Sequence, residues 1–442
     1  MNFVIIGGDA AGMSAAMQIV RNSEGHDITV LEQGEITSYG QCGLPYVLSG
    51  DVESTDDLIA RKPETFRNKY GIDVRTKNMV TEVDCEQKLV YAKDSQGQVY
   101  ELKYDRLLVA SGAAPVMPPW KGSDLEGVYS LKTIPDIEEI INATTENVNH
   151  VTIIGGGYIG LEMAESFRQA GKQVRLIDRG PQLAKNFDED MGELILEEAE
   201  RNRVEVHLGE SVEGFEGDGK VEKVITDQGK YETDLVLVAV GVTPNTSFMK
   251  GTGIYKGLND AITVNAFMET SILDIYAAGD CAMQYHRIKK KDDYIPLGTH
   301  ANKQGQIAGL NMVDKKRSFR GIVGTAILKF FNLTLARTGL SEREAEKERL
   351  PYNKITIDST HAAGYYSKDD PMTLKMIYHE ETRQILGAQI IGKQGTDKRI
   401  DVLATALFHE MTIDELEDLD LAYAPPYNSV WDPVQQAARK AD

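Results

Sequence analysis

The chain has 442 residues, 48 of them lysine or arginine and 68 aspartate or glutamate, for a formal net charge of −20. That length predicts roughly two to four domains around an ample core, and so acidic a composition excludes a general nucleic-acid or anionic-membrane binder. The three cysteines, Cys42, Cys85 and Cys281, are too few for a disulfide framework and lack metal-ligand spacing; no metal is expected, and the chain reads as cytoplasmic.

No apolar run is long enough to cross a membrane. The apolar N-terminus lacks a basic region and is interrupted by Asp9, so it reads as a strand and not as a signal peptide. Residues 3–6 form a short apolar run suited to a buried parallel strand. Gly7-Gly8-Asp9-Ala10-Ala11-Gly12 follows, then a helical stretch from Met13 to about Asn22. A second apolar run, 28–31, ends in Glu32, twenty residues after Gly12. This is the βαβ pattern that holds a dinucleotide. Glycine lets backbone approach a pyrophosphate, the helix N-terminus offers free N–H groups, and a carboxylate at the strand end accepts from both ribose hydroxyls. Asp9 departs from the pattern, standing where its middle glycine belongs.

Residues 38–46 read SYGQCGLPY. The run after Cys42 predicts a helix over 44–48, whose dipole is expected to lower the Cys42 pKa and favour thiolate. Cys85 and Cys281 have no such surroundings and read as buried or incidental.

The βαβ unit recurs 148 residues later. Residues 151–154 are a strand, Gly155-Gly156-Gly157-Tyr158-Ile159-Gly160 matches G-x-G-x-x-G fully, a helix is expected over 161–170, and strand 173–177 ends in Asp178. One site for FAD and one for a nicotinamide nucleotide is the economical interpretation. Asp178 favours NADH, since a carboxylate repels a 2′-phosphate; Arg179 beside it offers NADPH a partial counter-charge.

Strands within 104–115 and 234–244 end in small residues (Ala110, Ser111, Gly112; Val240, Gly241) that let a cofactor pass close to backbone. Strand 275–280 ends in Asp280, a carboxylate placed for a polyol such as ribityl. Lys289-Lys290-Lys291 reads as a short exposed loop and a solvated charge run.

This order of motifs resembles the pyridine nucleotide-disulfide oxidoreductases over nearly the whole chain. The resemblance implies an α/β protein with two Rossmann-like domains and a C-terminal α+β dimerisation domain. An FAD domain, 1–112 and 246–321, would be discontinuous, with an NAD(P) domain at 113–245. The interface domain, 322–442, is expected to hold strands at 354–358, 374–378 and 385–391 and helices near 399–409 and 413–416.

Many such enzymes carry C-x-x-x-x-C; Val47 occupies the second position here, so the chain is similar to the single-cysteine branch. That branch includes coenzyme A-disulfide reductases, persulfide reductases, NADH oxidases and NADH peroxidases. Its peroxidases and water-forming oxidases carry a histidine at the start of the first helix, where Ala10 stands. Ala362-Ala363-Gly364-Tyr365-Tyr366 and Tyr423-Ala424-Pro425-Pro426-Tyr427 are similar to coenzyme A-disulfide reductases, in which two tyrosines of the partner subunit point at the cysteine. No rhodanese-like segment follows the interface domain, which lowers the persulfide-reductase expectation.

The resemblance implies a homodimer with a shared active site, Cys42, Tyr365 and Tyr423 as catalytic residues, and FAD, NAD(P)H and coenzyme A as cofactors and substrate. FAD would meet Gly7, Ala11, Gly12, Glu32, Gln33 and Cys42. It would also meet Val80, Ala110, Ser111, Gly112, Asp280, and the run Leu297, Gly298, Thr299. NAD(P)H would meet Gly155, Gly157, Tyr158, Ile159, Gly160 and Glu162, with Asp178, Arg179, Val240 and Gly241. Coenzyme A would meet Ser14, Gln18, Arg21, Ser38, Gln41, Asn302 and Tyr365, with Arg61, Lys62, Arg67 and Lys69 adding positive charge. Two lysines of some relatives fall at Tyr70 and Trp431 here. The alternatives are a sulfur or polysulfide reductase using the same cysteine and an NADH oxidase. A ferredoxin-type electron-transfer reductase has no need of Cys42.

Overall fold

The computed structural model describes residues 1–367 and 369–441. Two five-stranded parallel sheets repeat one plan. In the first the strand order is Ile275–Ala277, Arg106–Val109, Asn2–Ile6, Asp27–Leu31, Asp73–Arg75. In the second it is Val204–Leu208, Gln173–Asp178, His150–Ile154, Leu235–Val238, Val128–Ser130. The central strands are apolar without alternation because both faces are covered; Phe3 to Ile6 and Val151 to Ile154 are all buried. A three-stranded antiparallel sheet accompanies each unit, Met79–Asp84 with Leu89–Lys93 and Val99–Lys103, and Val212–Glu216 with Lys223–Thr226 and Lys230–Glu232. Between the units, Ala113–Pro115 and Val242–Pro244 pair antiparallel.

Both βαβ helices start earlier than their sequences suggest, at Ala10 and Tyr158, inside the glycine motifs. The last motif glycine allows this. A Cβ on Gly12 would lie 1.9 Å from the Gly7 carbonyl oxygen, and one on Gly160 equally close to that of Gly155. Only glycine lets the first helical turn fold back so tightly over the strand end. Helix Gly298–Asn311 lies along Ala10–Asn22, bringing Leu297 and Gly298 to the flavin-type motif.

The C-terminal part is an antiparallel sheet in the order Ala326–Phe330, Leu333–Gly339, Ile385–Gly392, Pro371–His379, Tyr352–Thr360. Helix Thr396–Phe408 packs on it. The first two strands, and helices Glu342–Lys347 and Pro433–Ala438, were not among the expected elements. This part is locked onto the second parallel-sheet unit by polar groups. Lys375, 1 % exposed, pairs with Asp188, Asp190 and Glu342, and Gln389 donates to Asp188 (2.6 Å). The buried carboxylates of Glu165 and Glu198 accept the Phe331 and Asn332 N–H groups (2.8 and 3.0 Å). Asp188, Asp190 and Glu342 bring carboxylate oxygens together as a metal site would, but the Lys375 ammonium sits among them.

Among the described residues no helix is long and apolar enough to cross a membrane.

Candidate active site

One continuous cleft of about 2700 Å³ runs from the first glycine motif to the second. Single small-molecule pockets are several-fold smaller, so there is room for two dinucleotides. Of the expected flavin residues, Gly7, Ala11, Glu32, Gln33, Cys42 and Val80 line it, as do Ala110, Ser111, Gly112 and Asp280 and the helix start Leu297, Gly298, Thr299. Of the expected nicotinamide-nucleotide residues, Gly155, Gly157, Tyr158, Ile159 and Glu162 line it, with Asp178, Arg179, Val240 and Gly241. Gly12 and Gly160 lie beneath it, where their role is helix packing.

The two ends of the cleft are wired alike. Glu32 accepts from Gly8 N (2.8 Å) and Gly34 N (2.7 Å), tying the first glycine loop to the turn after its second strand. Asp178 accepts from Gly156 N (2.6 Å) and Gly180 N (2.7 Å). Gly7 and Gly155 adopt φ of 108° and 107°, and a Cβ on either would strike a carbonyl oxygen, that of Ala110 or Ala239. These bare backbone cradles fit a pyrophosphate at each end.

Cys42 sits in the short turn Gln41–Gly43, ahead of helix Leu44–Ser49, on the exposed lip of the cleft. It is the only cysteine lining the cleft; Cys85 is half-buried, and Cys281 is buried with its thiol directed at the Val109 and Ala278 carbonyls. In the chain by itself the Cys42 thiol is shifted up, against the direction expected from the helix alone. Although Cys42 is exposed, the protein packed around it desolvates the thiol in part and pushes its pKa up, and the Glu162 carboxylate pushes the same way; Lys132 opposes them. A six-residue helix supplies too little dipole to reverse this.

Asp9 is the residue whose role the sequence motif concealed. It accepts from Tyr39 N (3.1 Å) and from the Gln41 side chain (2.8 Å), joining the first glycine loop to the cysteine turn. Burial lifts its carboxyl to about 6. Glu162 is lifted to about 7, also by burial, and the Tyr46 hydroxyl stands 3.5 Å away. Asp280 accepts from Lys132 Nζ (3.0 Å), a lysine no motif singles out. The phenol of Tyr158 is pushed up by burial, with Arg337 and Asn186 beside it.

Ser14, Gln18 and Arg21 share one face of helix Ala10–Asn22, and Ser14 donates to Asn302 (2.8 Å). Gln18 accepts from Asn22 (3.1 Å). Ser38 has φ 53° and receives the Ala60 N–H on its carbonyl (2.8 Å). Arg61 and Lys69 stack on Tyr70, whereas Arg67 is spent on the Val74 carbonyl and Glu64. Tyr365 and Tyr423 are brought together, but neither lines the cleft of its own chain. Trp431 is covered by the Arg439 guanidinium, 3.9 Å from the ring centre.

The lysine run is a turn in which Lys290 and Lys291 are exposed, as expected, but Lys289 is not solvated. Lys289 is 9 % exposed and pairs with Asp293 (2.7 Å) and Glu344 (2.9 Å), and Lys291 pairs with Glu348 (2.7 Å). These acids sit either across the hairpin or more than fifty residues away, out of reach of a reading of charge runs.

Comparison with known proteins agrees with this geometry. Residues 1–305 match the pyridine nucleotide-disulphide oxidoreductase family, and residues 325–434 match its dimerisation domain. An NAD(P)H sulfur oxidoreductase (CoA-dependent) of Pyrococcus abyssi is 40 % identical over 438 residues, covering 99 % of this chain and 97 % of that protein. The reduced CoADR-RHD of Bacillus anthracis superposes with a TM-score of 0.96 at 33 % identity, covering 99 % of this chain and 79 % of that one. An engineered water-forming NADPH oxidase bound to NADPH, made from the Lactobacillus brevis NADH oxidase, has a TM-score of 0.96 at 28 % identity, covering 99 % and 98 %. Its engineering replaced an aspartate by alanine and introduced arginines one and seven positions after it. With two matching nucleotide units and a matching C-terminal domain, this chain belongs to the pyridine nucleotide-disulphide oxidoreductases, a family of FAD- and NAD(P)H-dependent enzymes.

Proposed function

We propose that the chain reduces coenzyme A disulfide with NAD(P)H through a mixed disulfide, Cys42–S–S–coenzyme A. The observation that carries this reading is that one cysteine alone lines the cleft, at the junction of the two nucleotide cradles, with Val47 where a second would stand. A lone thiol cannot close an intramolecular disulfide at that spacing, so its oxidised partner comes from the substrate.

The Cys42 thiolate attacks one sulfur of the substrate disulfide; that S–S bond breaks, one coenzyme A leaves as thiolate and takes up a proton. FAD, when bound, supplies the two-electron relay between the nicotinamide and the sulfur. Two electrons from NAD(P)H then cleave the mixed disulfide, the second coenzyme A takes a proton, and Cys42 returns as thiolate. Glu162 and Tyr46 hold protons within electrostatic reach of Cys42. Tyr365 and Tyr423 serve the cysteine of the partner in a homodimer, since they meet outside their own cleft. The flavin domain comprises 1–112 with 246–321, the nicotinamide domain 113–245, and the interface domain 322–442.

A second reading, reduction of persulfide or polysulfide sulfur on the same cysteine, is favoured by the 40 % identity to the CoA-dependent sulfur oxidoreductase, which has nearly the same length. On the electron-donor side, Arg179 and Lys185 stand one and seven positions after Asp178, the spacing of the arginines introduced into the NADPH oxidase.

Mass spectrometry of the intact, unreduced protein tests the main reading. A coenzyme A adduct on Cys42, lost on reduction, is expected. Absence of the adduct, together with NADH consumption on coenzyme A persulfide but not on coenzyme A disulfide, would replace it with the second.

A further inference from the structure

Tyr365 and Tyr423 stand on separate loops, 361–367 and 421–432, neither of which is helix or strand. Beneath both loops lies Arg399, near the start of helix Thr396–Phe408 and 0 % exposed. A cation there opposes the helix dipole, and its burial carries a desolvation cost, so helix stability does not account for it.

The guanidinium reaches both loops. On the first it donates to the His361 carbonyl (3.2 Å) and to His361 Nδ1 (3.2 Å). A guanidinium has no acceptor, so the imidazole presents its Nδ1 lone pair. On the second loop it donates to Asn428 Oδ1 (3.1 Å) and to Asp432 (3.2 Å), both buried. A further bond goes to the Gly395 carbonyl (3.1 Å), and a Cβ on Gly395 would lie 2.1 Å from His361 Nδ1 and 2.3 Å from the guanidinium, so this packing requires glycine. Each contact is passed on towards a phenol. Asn428 donates to the carbonyl of Ala422, beside Tyr423 (3.3 Å), and to Asp432 (2.6 Å). His361 leads into the turn bearing Tyr365, where Ala363 N–H donates to the Pro425 carbonyl of the other loop (3.0 Å).

We propose that Arg399 is the positioning residue of the tyrosine pair. It clamps the two loops at their base so that the hydroxyls of Tyr365 and Tyr423 meet, and it thereby sets the rate at which thiolate is released at Cys42 of the partner subunit. This rests on the reading of the two tyrosines as serving that cysteine. A planar fork of donors can hold two loops in one register, whereas a lysine ammonium is a single point.

The test is a mutant cycle on the FAD-loaded enzyme. Arg399→Lys keeps a charge opposite Asp432 and loses the fork; Asn428→Ala cuts only the link to the second loop. Each should lower kcat for coenzyme A disulfide reduction about tenfold or more, as a small misplacement of a reacting group does. KM and the rate of flavin reduction by NADH should stay within about twofold of wild type. In a Tyr365→Phe, Tyr423→Phe background neither substitution should lower kcat further, because the group it acts through is gone. His361→Asn, which keeps an acceptor near Nδ1, should recover most of what His361→Ala loses. An unchanged kcat, an equal loss in flavin reduction, or losses that multiply in the double-phenylalanine background would overturn the clamp and leave Arg399 a role in the fold alone. Should Arg399→Lys fail to fold, Asn428→Ala and the His361 pair carry the same cycle. A wild type inert towards coenzyme A disulfide refutes the functional reading instead. Crystal structures then decide the clamp without a substrate: the hydroxyls should be in hydrogen-bond reach in wild type and apart in Asn428→Ala, and an intact pair in the variant overturns it.

Discussion

Tyr365 and Tyr423 lie 58 positions apart in the chain and place their hydroxyls 3.0 Å from one another on the exposed surface of the interface domain. Two phenols sharing one hydrogen bond leave one proton free to point at a third partner, and the pairing raises the pKa of Tyr365. If Tyr423 gives that proton to a departing thiolate in the partner subunit, Tyr423→Phe should lower kcat for disulfide reduction by ~10²-fold. Stopped-flow absorbance should find reduction of the flavin by NADH unchanged. Slowing of that half-reaction alone, or of neither, would show the ring to be packing.

Cys42→Ser separates sulfur chemistry from hydride chemistry. Disulfide-dependent NADH consumption should vanish, while NADH still bleaches the flavin absorbance at the wild-type rate. Loss of both would mean that Cys42 shapes the nicotinamide site.

Lys375 offers a test of the domain junction. It is buried among Asp188, Asp190 and Glu342. Burial lowers its pKa, and the three acids more than reverse that, leaving the ammonium above its ordinary range. Lys375→Met strips buried Asp188 of its counter-charge, whereas Glu342 keeps Lys354 (2.8 Å). The loss should be about 3–5 kcal/mol, as when one partner of a buried ion pair is removed. Chemical denaturation should show it; a change below about 1 kcal/mol would mean that water replaces the ammonium.

Glu162 gives a pH dependence of definite sign. Its carboxyl is lifted in the folded state from an ordinary 4.5 to about 7 by burial. A raised acid favours folding while protonated, so its contribution is full below about pH 4.5 and is lost as pH rises towards 7. For flavin-free protein, Glu162→Gln should remove that part of the decline, a difference on the order of 3 kcal/mol between the ends of the window. Asp9, lifted to about 6, acts in the same direction in both proteins and leaves a residual slope. Parallel stability profiles for wild type and variant would place Glu162 in water.

The nucleotide cradles were legible from sequence because their chemistry is backbone chemistry. A missing Cβ at Gly12 or Gly160 is written in one letter, and its effect is spent within five residues. Glu32 and Asp178 were legible for the same reason, each sitting at the end of the next strand. Groups whose partners lie far along the chain were not. Lys289 reads as solvated because Glu344 is 55 positions away, and Lys375 is mute until Asp188 arrives from another domain. The sign of the Cys42 shift was missed because the local helix is visible in sequence, whereas the walls of the cleft are not.

Asp9 puts an acid into a loop built to attract an anion. When ionised it would oppose a bound pyrophosphate, and it gains a mechanical link, since its two oxygens hold Tyr39 and Gln41, the residues that lead into the turn bearing Cys42. The chain has exchanged some attraction for pyrophosphate against stiffness at the sulfur. The glycine loop and the thiol are thereby mechanically coupled: a displacement of the loop would be passed through Asp9 to the turn that bears Cys42.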